Sequence, residues 1–447
     1  MQRIECADFV LGSNLSVIVD GALVLEDDVI LFVGTRLEAC NRYPTCSVVS
    51  HPSCVIAPGF INAHMHLYGV LAHGLTPPLP IVSFESFLHD YWWPMVEDSL
   101  DLTMLEAATE ASALELIASG VTTVCDVLEA PFLGIEGLQC EQQVLEKVGL
   151  RSILSIEASQ RVSFENGVAC LNDTVSFHNQ LTNHPLITTM VCLHTSFTCS
   201  AALIAEAKRL STEHALDIQL HLNESNYEPL WCEKHHGLRS SLWYEKLGLL
   251  DGRLLAAQCV QLSSEEISAL ARASVRAVHV PLSNCEVGGG IAPVPALFDA
   301  GVRMGLGTDG YINNFFEVMR AAFLIHKGKL ETPEVMSAKQ VWNMATEEGG
   351  KALYGPNSRV GSLAEGNLAD YQVISIKDIP TRVTEQNIFD QLILFRNPEH
   401  VVEVTVGGRR VKSSNKLVSG SLDLARAQTR VESHRLAEKG QRLVQEK

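Results

Sequence analysis

Three short stretches carry residues whose types and spacing suit metal-assisted hydrolysis. The first, FINAHMH, runs from Phe60 to His66. On a strand, side chains alternate with period two, so His64 and His66 point to one face and their imidazoles converge. With 16 histidines in 447 residues, about half an H-x-H pair is expected at random, so this pair needs further ligands to carry meaning. The second stretch, QLHLNES, puts His221 at the end of an apolar run and Glu224 three residues later, where the chain would turn. A neutral imidazole suits a borderline divalent ion, and a carboxylate just beyond it can take and return protons on the water that the ion activates. Taken alone, His221 reads equally well as an ordinary core histidine.

The third stretch, VRMGLGTDG, delivers Asp309 to a strand end between Gly307 and Gly310. Asp309 is then a ligand, a base, or the cap of the helix suggested by NNFFEVMRAAFLIHK. Four candidate ligands at the ends of three strands make coincidence implausible. AAQCVQLSS is different in kind. Its apolar run stops at Gln258, and Gln261 follows; both are amides that form hydrogen bonds but move no proton near neutral pH.

These residues need a frame that gathers strand ends. Apolar runs ending near His66, Asp126, Glu157, His194, His221, Gln258, His279 and Asp309 alternate with helical spacing such as DLTMLEAATEASALELIASG. Eight βα units predict a closed (β/α)8 TIM barrel, with its reactive groups at the C-terminal ends of the strands. Strand-and-turn patterns at both chain ends, VIVDGALVLEDDVILFVG early and RVGSLAEGNLADYQVI and VVEVTVGGRRV late, predict a small β-sandwich accessory domain. The expected division is 1–56 with 360–420 as the accessory domain, 57–359 as the barrel, and 421–447 as a charged helix or tail.

Composition narrows the function. A net charge of −18 argues against nucleic acid and other polyanions and favours a small-molecule substrate. No apolar run is long enough to span a membrane, and MQRIECADFVLGSN lacks a secretory signal, so a cytoplasmic location is expected. The 12 cysteines are scattered and never form CxxC, which reads as buried free thiols.

Together, PGFINAHMH, HLNES, SNCEVGGGIAPVPALFDAGVRMGLGTDG and GSLAEGNLAD resemble the amidohydrolase superfamily over about residues 1–412, in the branch that hydrolyses amino- and chloro-substituted heteroaromatic rings. The resemblance implies that His64, His66, His221 and Asp309 hold one divalent ion, zinc in first place and ferrous iron in second. It makes Glu224 the proton carrier and Asp309 the acceptor of the water proton. HTSFTCS then makes His194 a substrate contact, as WWPMVE does Glu97 and HVPLSN does His279. The branch usually reads A-H-C-x-H where this chain has Gln258 and Gln261, so Gln258 is expected to bind substrate by hydrogen bonding only. A homodimer and deamination of a heteroaromatic ring are the implied state and reaction. Displacement of chloride, hydrolysis of another C–N bond, and a catalytically silent ligand-binding relative are the alternatives.

Overall fold

The computed structural model describes residues 2–446. Its larger sheet is parallel throughout and closes on itself. In order, the staves are Phe60–Met65, Val121–Asp126, Arg151–Leu154 resumed at Glu157–Ala158, Ile187–Thr189 resumed at Val191–Leu193, Ile218–Leu222, Leu254–Gln258, Arg276–His279 and Arg303–Leu306. The third and fourth staves pair twice, Ser152 with Ile187 below and Glu157 with Cys192 above, which seals an eight-stave barrel from ten strand segments. The TIM barrel expected from the alternating pattern is therefore present. It differs in detail: the third and fourth staves are each interrupted, and the first and last end before His66 and Asp309 rather than at them.

Local chemistry sets the helix limits. Leu102–Ala118 begins where the Asp101 side chain accepts the Met104 amide, and it ends at Gly120, whose φ of +94° suits glycine. The helix after the last stave, Phe315–Leu330, is capped by Asn314, whose side chain accepts the Phe316 amide. Asp309 is therefore not that helix's cap. Phe60, at the foot of the first stave, packs against Phe315 and Trp342 at ring distances of 5.4 and 5.3 Å and anchors the barrel to its last helices.

The second sheet has eight strands and draws on both chain ends. Ser47–Pro58 is its hinge: it runs parallel to Gln2–Leu11 on one side and antiparallel to Tyr371–Ser375 on the other. Only Gly59 separates this strand from the first stave, so the accessory sheet fixes where His64 and His66 enter the barrel. Arg151 on the third stave reaches back to Asp370 beside Tyr371–Ser375, Nε to Oδ2 at 2.7 Å and Nη2 to Oδ1 at 3.2 Å, both partners buried. The C-terminal helix Leu422–Glu446 lies on Leu102–Ala118, burying Leu436 and donating from Thr429 Oγ1 to the Ala107 carbonyl at 3.1 Å. No helix among the described residues is long and apolar enough to cross a membrane.

Candidate active site

The barrel brings His64, His66, His221 and Asp309 to one point. The first stave's ladder to Val121–Asp126 shifts register between Asn62 and Met65, a bulge beside both histidines. The His64 ring lies 5.1 Å from that of His66 and 4.9 Å from that of His221, and His221 Nε2 is 3.4 Å from His66 Nε2. His66 Nδ1 donates to the Val127 carbonyl at 2.9 Å; since that oxygen only accepts, Nδ1 carries the hydrogen and Nε2 faces inward. Asp309 Oδ1 sits 3.2 Å from the same Nε2. Asp309 itself holds φ at 58°, and its amide donates to the His64 carbonyl.

Three imidazoles and a carboxylate converging in a buried site suit a divalent ion, which would take the place of the proton that His66 and Asp309 otherwise share. The residues fit a divalent ion on a second count: both ring nitrogens of His64 are buried and have no hydrogen-bond partner. Burial, with His221 and His66 beside it, keeps His64 well below the usual histidine range and hence neutral, the form in which imidazole binds metal. Burial would raise the Asp309 carboxyl, but the neighbouring His66 outweighs it and holds the group well below the ordinary range.

A cavity of about 1180 Å³ opens above this cluster, lined by His66, His221 and Asp309 together with Glu224, His194 and Gln258. Glu224 stands half-buried on the loop after the fifth stave. Burial, reinforced by Asp309 and Glu129, lifts its carboxyl well above the usual range. The glycine-rich loop braces it from behind: a Cβ on Gly289 would meet the Glu224 carbonyl at 2.3 Å, so only glycine packs there. Gln261 fastens that loop by donating to the Gly289 carbonyl at 2.6 Å. Gln258 donates from Nε2 to Asp309 Oδ2 at 2.6 Å, Ser283 donates to the same oxygen at 2.9 Å, and Gln258 Oε1 is buried without a partner. His194 faces Thr198, Nδ1 to Oγ1 at 2.7 Å, and burial beside His221 depresses it to about 3.

Two sequence-named contacts are not brought to the cavity. His279 pairs in register with Leu306, one residue past Val278, whose side chain packs with Ala257 and Leu255 in an inner apolar cluster. Alternation therefore turns His279 to the other face, where its Nε2 lies 3.1 Å from His326 Nε2 on Phe315–Leu330. Glu97 is buried against Arg161, Oε2 to Nη2 at 2.7 Å, and does not line the cavity.

Glu129 was missed. It lies three residues beyond the end of Val121–Asp126, lines the cavity, accepts a hydrogen bond from Tyr68 and stands 3.5 Å from His66 Nδ1. Ligand-capable atoms of Glu129, Glu157, His194 and His221 all lie within 4.8 Å of one another, as do those of His64, His66 and His221. The available signal was its offset: Glu129 follows Asp126 by the interval at which Glu224 follows His221.

Known proteins match this geometry. The amidohydrolase family model fits residues 55–411. A 5'-deoxyadenosine deaminase of Methanococcus aeolicus is 31% identical over 408 residues, covering 89% of this chain and 91% of the relative. A 5-methylthioadenosine/S-adenosylhomocysteine deaminase of Syntrophobacter fumaroxidans is 30% identical and covers 90% of each chain. The fold matches the zinc-bound crystal structure of an adenosine deaminase from Xanthomonas campestris with a TM-score of 0.88 at 23% identity, over 97% of this chain and 98% of that one. With a barrel that gathers its histidines and aspartate at the strand ends and a family match over most of its length, the chain belongs to the amidohydrolase family.

Proposed function

We propose that the protein is a metal-dependent aminohydrolase that replaces the exocyclic amino group of a heteroaromatic ring by oxygen and releases ammonia, with adenine nucleosides as its substrate class. One observation carries the reading: His66 Nε2, His221 Nε2 and Asp309 Oδ1 converge beside the unpartnered His64, and Glu224 shares their cavity. The activities named for the relatives point to adenine.

His64, His66, His221 and Asp309 would hold the ion, zinc by preference because three imidazoles and a carboxylate suit it, with ferrous iron second. When bound, the ion acidifies the attacking water. Glu224, whose carboxyl burial lifts well above the usual range, gives its proton to a ring nitrogen and so makes the adjacent carbon electrophilic. Asp309, kept ionised, takes the water proton and passes it to the departing amine. Gln258 and Ser283 fix the Asp309 carboxylate through Oδ2, and their hydrogen bonds also weaken it as a base. His194 and Glu129 line the same cavity and would bind the rest of the ring system.

The test is ammonia release from aminated purines, pyrimidines, pterins and triazines, run beside elemental analysis. Turnover of an adenine nucleoside by metal-loaded protein supports the reading. Chloride or alkylamine release in its place, or metal binding with no turnover across the panel, sinks it.

A further inference from the structure

The walls of the cavity carry charge of one sign. Glu85, Glu129, Glu224, Glu286 and Asp309 line it, and among the described residues no lysine or arginine does. Asp309 lies where a divalent ion would neutralise it, and Glu224 stands beside it on the same floor. Glu85 and Glu286 are different: both line the cavity yet are solvent-exposed, so they face the part of a substrate that extends toward solvent. Tyr227 donates to Glu85 at 3.2 Å, which holds that carboxylate at the entrance. The buried guanidinium of Arg161 offers no relief, because it lines a separate cavity with Trp93 and Phe197 and is paired with Glu97 and Asp98 at 2.7 Å each. Between rim and floor stand Tyr91 and the stacked pair Phe87 and Trp92, 5.4 Å between centroids, which offer π-faces to a flat ring or a cation.

We infer that this cavity selects aminated heterocycles whose remaining substituent is neutral or cationic and rejects those carrying a phosphate or carboxylate, with Glu85 and Glu286 as the discriminating residues. The inference rests on the deaminase reading above and sharpens it. An anionic substituent would lose its water beside like charge with no counter-ion to replace it, whereas an ammonium group would find carboxylates to pair with. The chain's net charge of −18 acts in the same direction on the approach. Among the activities named for relatives, a 5'-deoxyadenosine type of substrate, whose tail is neutral, fits.

The experiment compares 5'-deoxyadenosine, 5'-amino-5'-deoxyadenosine, adenosine 5'-monophosphate and adenosine 5'-carboxylate on the metal-loaded protein, by kcat/KM for ammonia release and by calorimetric binding at low ionic strength. We expect the neutral and cationic compounds to exceed the phosphate by at least about 10²-fold, the scale on which like-charge contacts discriminate, and expect the gap to shrink with salt. The double variant Glu85→Gln, Glu286→Gln should narrow the cation-to-anion ratio at least about tenfold, chiefly in KM. Use of the phosphate or of the 5'-carboxylate within about threefold of 5'-deoxyadenosine would overturn the inference while leaving deamination in place, as would an unchanged ratio in the double variant. If no compound releases ammonia, binding decides: neutral and cationic ligands bound without the anions uphold charge selection and end the deaminase reading, whereas equal binding or none ends both.

Discussion

Gln258 Nε2 lies 2.6 Å from Asp309 Oδ2. A carboxylate only accepts, so this contact fixes the orientation of the amide and leaves Oε1, buried and unpartnered, as its free acceptor. Gln258 is thus a donor to the Asp309 carboxylate and an acceptor toward the cavity, and neither role requires it to titrate. The two amides at this strand end have separate tasks, since Gln261 secures the glycine-rich loop under Glu224.

Replacing Gln258 by leucine removes one of the two donors to Asp309 Oδ2. A hydrogen bond to a charged group contributes about 1.5–3 kcal/mol, so kcat/KM should fall at least about tenfold with metal content retained. Unchanged kinetics would show that Ser283 alone holds the carboxylate.

Glu224→Gln preserves size and removes the proton. Turnover should drop at least about 10²-fold while elemental analysis finds the metal still present. In the parent enzyme the acid form of Glu224 is the working one, and its carboxyl is shifted upward, so kcat should decline as pH rises through that raised value. An active Glu224→Gln protein would move the proton route elsewhere.

Much of this site was legible because period-two alternation and strand-end placement are local properties. His221 follows from them, and so does the position of Gln258 at the end of Leu254–Gln258, whereas His64 and His66 meet at a bulge between Asn62 and Met65 that alternation alone does not give. What escaped depends on partners distant in sequence. Whether His279 faces inward is set by its register against Leu306 and by Val278 beside it, and the fate of Glu97 by Arg161. Glu129 sits on a loop, where no periodicity marks a residue. The barrel was visible as eight alternating runs, but the breaks after Leu154 and Thr189 fall inside apolar stretches that read as continuous.

Arg151 and Asp370 tie the third stave to the accessory sheet, and the Gly407 amide also donates to Asp370 Oδ1. Asp370→Ala would leave a buried guanidinium unpaired, at a cost of about 3–5 kcal/mol. Thermal unfolding should shift down by several degrees, and a shift within about 1 °C would mean that water replaces the carboxylate.

The metal stoichiometry tests the site as a whole. Two groups of candidate ligands exist, His64 with His66 and His221, and Glu129 with Glu157, His194 and His221, and they share His221. His221 Nε2 faces His66 while its Nδ1 faces Glu157 at 3.7 Å, so an ion bound through Nε2 leaves Nδ1–H free to donate to Glu157, an arrangement that orients the ring. One ion per chain is therefore expected, lost on chelation together with all activity and restored by zinc. The double variant His64→Ala, His66→Ala should retain none, because two of its four ligands are gone, whereas Glu157→Gln should retain the ion with affinity lowered by about 10–100-fold. Full retention in the histidine variant would refute the ligand assignment. A second ion in the active protein, removed by Glu157→Gln, would instead place it among Glu129, Glu157 and His194 and turn Glu157 from an orienting residue into a ligand.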